Sequence, residues 1–229
     1  MQEKEELEQL NSELNNPDAL AAYKATLDSY RVSFFPGLVG AILVFFGNLV
    51  YGKNPSYLKF RAVEVIARVP YHSWVSAAYT LLTMFYSNEK KALELSIVSK
   101  FARIAQDNET MHVVVISKIA RTECRVNPLL HTIIPMLFAF FYFWASYVLY
   151  LINRRYSLEL NYCFENHSFE QYDWFLRENE EALKSKTIES EFLTWYGRHP
   201  RNHYEFFQSV RNDELIHRNK SIHEIRESS

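Results

Sequence analysis

The residues most able to do chemistry in this chain are two Glu-x-x-His pairs. Glu109 with His112 lies in Asn-Glu-Thr-Met-His, Glu214 with His217 lies in Asp-Glu-Leu-Ile-His, and no third pair occurs. Residues three apart share one face of a helix, so each pair offers a carboxylate and an imidazole to the same point in space. Two further carboxylates, Glu64 and Glu165, sit on other segments that read as helical. One Glu from each of two helices and a Glu-x-x-His from each of two others is the ligand inventory of a di-iron or di-manganese site in a four-helix bundle. With 22 Glu and 8 His over 229 positions, about 0.8 such pairs arise by chance, so placement has to decide. Four carboxylates neutralise two Fe(II) ions. Hard oxygen donors with two imidazoles favour open coordination and oxygen chemistry over a closed structural zinc site. Without a cation, burying these carboxylates would be very costly.

The elements that must position these six residues follow from hydropathy. Tyr57 to about Phe85 repeats its apolar residues at helical spacing and carries Glu64, and Ser87 to Lys91 supplies a polar turn. A second helix runs from about Ala92 to Arg121 and carries Glu109 and His112. A third, Leu158 to Ser185, carries Glu165, and a last, His203 to Glu224, carries Glu214 and His217. The order is Glu, Glu-x-x-His, Glu, Glu-x-x-His, with a charge-free crossover between the second and third, as a ferritin-like bundle requires.

That crossover lies between Arg125 and Arg154, a run of 28 residues (126–153) without Asp, Glu, Lys or Arg. At about 1.5 Å per residue it could reach across a hydrocarbon core of about 30 Å. A true span, however, would set Glu109 and Glu165 on opposite sides of a bilayer, where they could not share a metal. The segment is therefore expected to run alongside the bundle, its outer face sunk in one leaflet or against a partner subunit. Phe34 to Val50 is a second charge-free stretch, continued from a helix start at Ala19 to Arg31, and Tyr51 to Ser56 breaks it. It falls slightly short of the roughly 20 apolar residues that a spanning helix needs, so an interfacial or half-buried helix and a span are equally good readings of it.

Composition narrows the alternatives. With 5 Gly, 7 Pro and 16% aromatic residues in 229, the chain is neither disordered nor a turn-rich sandwich. The expected fold is a single all-α domain over residues 31–229, preceded by a polar arm and helix start over residues 1–30. A net charge of -2 excludes nucleic acid as a partner on electrostatic grounds. The acidic first residues resemble neither a secretory signal nor an Arg-rich transit peptide. Cys124 and Cys163 form no CxxC pair and suit neither a disulfide scaffold nor a thiolate zinc site. His72, His131, His199, His203 and His223 match no ligand position.

From about residue 57 to 223 these motifs resemble the alternative oxidase family, the membrane-bound di-iron quinol oxidases. Asn108-Glu109-Thr110-Met111-His112 is similar to the family's Asn-Glu-Arg-Met-His. Arg211-Asn212-Asp213-Glu214-Leu215-Ile216-His217-Arg218 resembles Arg-Ala-Asp-Glu-Ala-His-His-Arg. Arg61-Ala62-Val63-Glu64 with Val69-Pro70 looks like the first ligand helix, with Val-Glu-Val in place of Leu-Glu-Thr. The third motif, Phe164-Glu165-Asn166-His167-Ser168, keeps only the ligand Glu165 of a Leu, three acidic residues and Ala. Tyr172, seven after Glu165, and Trp195, nineteen before Glu214, match the family's near-iron tyrosine and its tryptophan in type and distance.

The resemblance implies a cyanide-insensitive terminal oxidase that oxidises ubiquinol or a related quinol and reduces O2 to water at two Fe ions without pumping protons. It implies metal ligation by Glu64, Glu109, His112, Glu165, Glu214 and His217, with Asn108, Asp213 and Trp195 supporting the ligands and Tyr172 redox-active. The quinol pocket would fall near Lys59, Val63, His167, Ser168 and Gln171. A monotopic homodimer is expected, in the inner membrane of a mitochondrion or a mitochondrion-derived organelle, or in a bacterial plasma membrane. Family thiol control uses a cysteine upstream of the first ligand helix. None precedes Cys124 here, so no such control is expected. A di-iron quinone-ring hydroxylase shares the ligand set, and a non-catalytic membrane subunit would account for the eroded third motif.

Overall fold

The computed structural model describes residues 2–227, all of them in helices or their connections, with no β-strand among the described residues. In chain order the helices are α1 (Gln2–Glu13), α2 (Pro17–Ala25), α3 (Phe34–Tyr51), α4 (Tyr57–Ala67), α5 (Val69–Phe85), α6 (Glu89–Glu123), α7 (Ile134–Ile152), α8 (Arg154–Lys184), α9 (Glu191–Tyr196) and α10 (His203–Glu227). One π-helical turn, Leu129–Ile133, leads into α7.

Side-chain caps set where the site-bearing helices begin. Ser56 Oγ accepts the Lys59 N–H at 3.2 Å, Asn88 Oδ1 accepts that of Lys91 at 3.1 Å, and Asn153 Oδ1 accepts that of Tyr156 at 3.1 Å. The Asn153 cap starts α8 four residues before the expected Leu158. The segment read as one helix from Tyr57 to Phe85 divides into α4 and α5 at Arg68. Pro70 brings no N–H to a helical ladder and its ring crowds the carbonyl four residues back, so α5 starts afresh with the proline in its first turn. Further upstream, α2 ends at Ala25, short of the expected Arg31. Residues 2–13 form a helix that polarity had hidden: Leu7, Leu10 and Leu14 recur at helical spacing and pack against Phe169, Leu215 and Ile216.

Helices α4, α6, α8 and α10 form the bundle, with α8 and α10 its most extensively packed pair. One half of the core joins Phe60, Met111, Ile116, Tyr172, Phe175 and Phe207, and the other joins Tyr71, Trp74, Phe101, Tyr150 and Ile222. α7 makes the crossover between α6 and α8, lying against α4, α5 and α8, while α3 lies against α8. The α3–α8 approach is close because Gly40 has no Cβ, which would meet Cys163 Cβ at 3.1 Å. Both α3 and Leu129–Ile152 are long and apolar enough to cross a membrane, yet only 11% of each window is buried.

Candidate di-metal centre and the cavity beside it

Glu64 comes from α4, Glu109 and His112 from α6, Glu165 from α8, and Glu214 and His217 from α10, and all six are buried at the middle of the bundle. Donor atoms of Glu64, Glu109, His112 and Glu214 lie within 4.8 Å of one another, as do those of Glu109, Glu165 and His217. Glu109 is shared by the two groups. His112 Nδ1 stands 3.4 Å from Glu214 Oε1 and 3.6 Å from oxygens of both Glu64 and Glu109, and His217 Nδ1 is 2.9 Å from Glu109 Oε1.

The donor set fits a pair of metal ions. Of the twelve buried side-chain polar atoms without a hydrogen bond among the described residues, eight belong to these six residues: one oxygen each of Glu64 and Glu165, both oxygens of Glu109 and Glu214, and Nδ1 of both histidines. Buried polar atoms are otherwise satisfied, and here the orphans converge.

Burial pushes the Glu64 carboxyl up to about 7, and burial together with neighbouring carboxylates raises Glu165 and takes Glu214 well above the usual range. Burial also acts on Glu109, but its two histidines outweigh it and draw the group down to about 2. The same carboxylates hold His112 and His217 above the ordinary imidazole value against burial. Without metal the centre therefore stores protons that a cation would displace.

A second tier of hydrogen bonds fixes the ligands. His112 Nε2 lies 2.9 Å from Asp213 Oδ2, which leaves Nδ1 available to bind a metal. Asp213 also accepts from Asn108 Nδ2 at 3.0 Å, Arg198 Nη2 at 2.9 Å and Asn11 Nδ2 at 2.6 Å. Arg198 in turn is held by Glu8 at 2.7 and 2.9 Å. Tyr172 Oη donates to Glu64 Oε1, and its ring stacks on Phe60 at 4.0 Å between centroids. On the opposite side Tyr71 Oη donates to Glu165 Oε1 at 2.7 Å, and Asn161 Nδ2 donates to the same oxygen at 3.1 Å.

Trp195 is not part of this network. It is 75% exposed on α9, and its neighbour Tyr196 turns inward so that its hydroxyl accepts from Asn108 Nδ2 at 3.2 Å. Adjacent helical residues point about 100° apart, so a correct distance along the chain still missed by one position. Gly197 closes α9 in the left-handed region at φ 100°, and Arg198 follows into the network. Sequence reasoning also missed Glu8, Asn11, Tyr71 and Arg198. Asn161 alone carried a signal, lying one turn before Glu165.

Beside the centre lies an apolar cavity of about 200 Å³ whose walls include Lys59, Val63, His167, Ser168 and Gln171. All five residues expected at a quinol pocket are thus brought together. Glu64 and Tyr172 also line the cavity, as do Phe46 of α3 and Phe138 of α7, the two helices with exposed apolar faces. Lys59 Nζ donates to Gln171 Oε1 at 2.7 Å and Asn48 Oδ1 at 2.9 Å, and burial draws its ammonium down to about 8. Three of the five histidines set aside from ligation make structural contacts: His72 with Gln106, His131 with Asn127, and His203 with Tyr57.

Residues 32–226 match the family described as Alternative oxidase. Ubiquinol oxidase 4, chloroplastic/chromoplastic, of Arabidopsis thaliana is 24% identical over 185 residues, covering 72% of this chain and 50% of that protein. The chain spans about half the length of the curated relative it matches.

Proposed function

The chain belongs to the alternative oxidase family, and from that premise we propose that it is a cyanide-insensitive quinol oxidase that couples oxidation of a ubiquinol-type substrate to reduction of O2 to water. The observation that carries this reading is the adjacency of six convergent buried ligands to an apolar cavity lined from the exposed faces of α3 and α7.

Glu64, Glu109, His112, Glu165, Glu214 and His217 would hold two iron ions, which when bound supply the electron transfer to O2. Asp213 keeps His112 in the tautomer that presents Nδ1, and Asn108, Arg198 and Asn11 hold Asp213. Tyr172, bonded to Glu64, is placed to give up one electron together with its hydroxyl proton. The mostly apolar wall of the cavity suits a lipid-soluble ring. Lys59 and Gln171 line the cavity, where the Lys59 ammonium, held by Gln171 and Asn48, is placed as an orienting donor for a quinol oxygen.

We read the protein as monotopic and homodimeric. Glu109 precedes α7 and Glu165 follows it, yet both donate to one ligand group. This supports an α7 that lies along one leaflet rather than across two. The test is oxygen uptake by detergent-purified, iron-reconstituted protein given a short-chain ubiquinol in the presence of cyanide. Uptake abolished by Glu109→Ala is the expected result. A folded, iron-loaded protein that consumes no oxygen would overturn the reading, and an oxygenated quinone product would replace it with a ring hydroxylase.

A further inference from the structure

We propose that Tyr71 is a second oxidisable tyrosine of this centre, serving the Glu165 side as Tyr172 serves the Glu64 side; the proposal rests on the quinol-oxidase reading. Tyr71 is fully buried on α5, and its hydroxyl donates to Glu165 Oε1 at 2.7 Å while accepting from Asn161 Nδ2 at 3.0 Å. Its ring centroid lies 5.3 Å from that of His217, the other ligand on that side. Each of the two tyrosines therefore bonds a carboxylate of a different ligand group, with Glu109 common to both. Behind Tyr71 the aromatic column continues to Trp74 at 5.2 Å and from there to Tyr150 at 6.1 Å, whereas Tyr172 is backed by the phenylalanines Phe60 and Phe207. A phenol and an indole in series can share an electron vacancy that a phenylalanine cannot.

Electron counting gives the second tyrosine a task. Reducing O2 to two waters takes four electrons and four protons. Two ferrous ions held at this site would supply two electrons, and Tyr172 and Tyr71 give one electron and one proton each, with two further protons drawn from solvent. The Tyr71 proton passes along its hydrogen bond to Glu165 Oε1 and is handed on from there to the oxygen being reduced, as one of the four consumed, while the electron leaves the ring. Two quinols then return four electrons and four protons: two of each restore the phenols, the other two electrons would re-reduce the bound irons, and the two borrowed protons are released. A tyrosine that only steadies Glu165 would never lose its electron, which is the distinction to test.

Protein loaded anaerobically with Fe(II) is mixed with O2 without quinol, frozen within milliseconds and examined by electron paramagnetic resonance. The expected result is a tyrosyl signal reduced but present in Tyr172→Phe, and absent when Tyr71→Phe is added at equal iron content. If Tyr71→Phe sheds iron, 3-fluorotyrosine incorporated at position 71 of the Tyr172→Phe protein keeps the hydroxyl, and fluorine hyperfine splitting then locates the radical. Loss of the whole signal in Tyr172→Phe alone, a signal without fluorine splitting, or no tyrosyl signal from a protein that turns over quinol would each overturn the proposal. Because this assay contains no quinol, a radical at Tyr71 in a protein that fails to oxidise quinol would refute the function proposed above and leave the Tyr71 assignment standing.

Discussion

Buried carboxylates without a cation hold protons, and that makes the metal-free centre sensitive to pH in a defined direction. Burial raises Glu64 from 4.5 to about 7, so it binds its proton more tightly folded than unfolded. Its contribution to stability is full below pH 4.5 and is lost as pH climbs through 7, an effect on the order of 3 kcal/mol. Glu165, Glu214 and the two histidines are also raised on folding, so they act in the same direction. The lowered Glu109 changes only below 4.5 and stays outside this window. Calorimetry of chelator-stripped protein should therefore show a melting temperature that falls between pH 5 and 8, and iron loading should remove the fall. Parallel profiles with and without iron would refute the assignment of these residues as ligands. At this scale the six converging residues were legible because helical spacing fixes which face a residue occupies. Tyr71 was not, because its hydroxyl meets Glu165 across 94 residues of chain.

Single elements carry functions that their own sequence does not announce. α1 is acidic and polar, yet it places Glu8 on Arg198 and Asn11 on Asp213, which in turn holds His112. Bonds to charged groups are worth about 1.5–3 kcal/mol each. The double variant Glu8→Ala, Asn11→Ala should lower unfolding free energy by roughly 2–4 kcal/mol on that basis and weaken iron retention against a chelator. A chelator competition unchanged from wild type would confine α1 to a packing role. The Leu7–Leu10–Leu14 spacing was present in the sequence, but whether a polar helix docks depends on a partner surface, here Phe169, Leu215 and Ile216. The division of α4 from α5 was legible in principle from Pro70. The inward turn of Tyr196 in place of Trp195 was not, because a six-residue helix takes its rotation from what it packs on.

For the whole molecule, exposed apolar surface runs along α3 and α7, where Phe45, Leu49 and Phe141 are each more than 60% exposed. Such a surface is unstable in water and suits a lipid leaflet. None of these three residues lines the cavity. A lysine ammonium costs up to about 3 kcal/mol in hydrocarbon. Phe45→Lys, Leu49→Lys and Phe141→Lys together should abolish flotation with liposomes and leave oxygen uptake in detergent unchanged. A triple variant that still floats would mean that another surface meets the bilayer.

The sequence by itself determined the all-α class, the order of the four bundle helices and the six Glu and His residues that converge at their centre. Each of these depends on local periodicity and on residue chemistry, which a linear chain records directly. The family resemblance carried by its motifs also pointed to five residues that the fold brings to the cavity wall. Only the tertiary structure decided what stands behind the ligands. Tyr71 on Glu165, Arg198 and Asn11 on Asp213, and the arm that delivers Glu8 are contacts between elements far apart in the chain. Their formation depends on how helices rotate and dock to bury apolar area, a property of the packed whole that no single segment encodes.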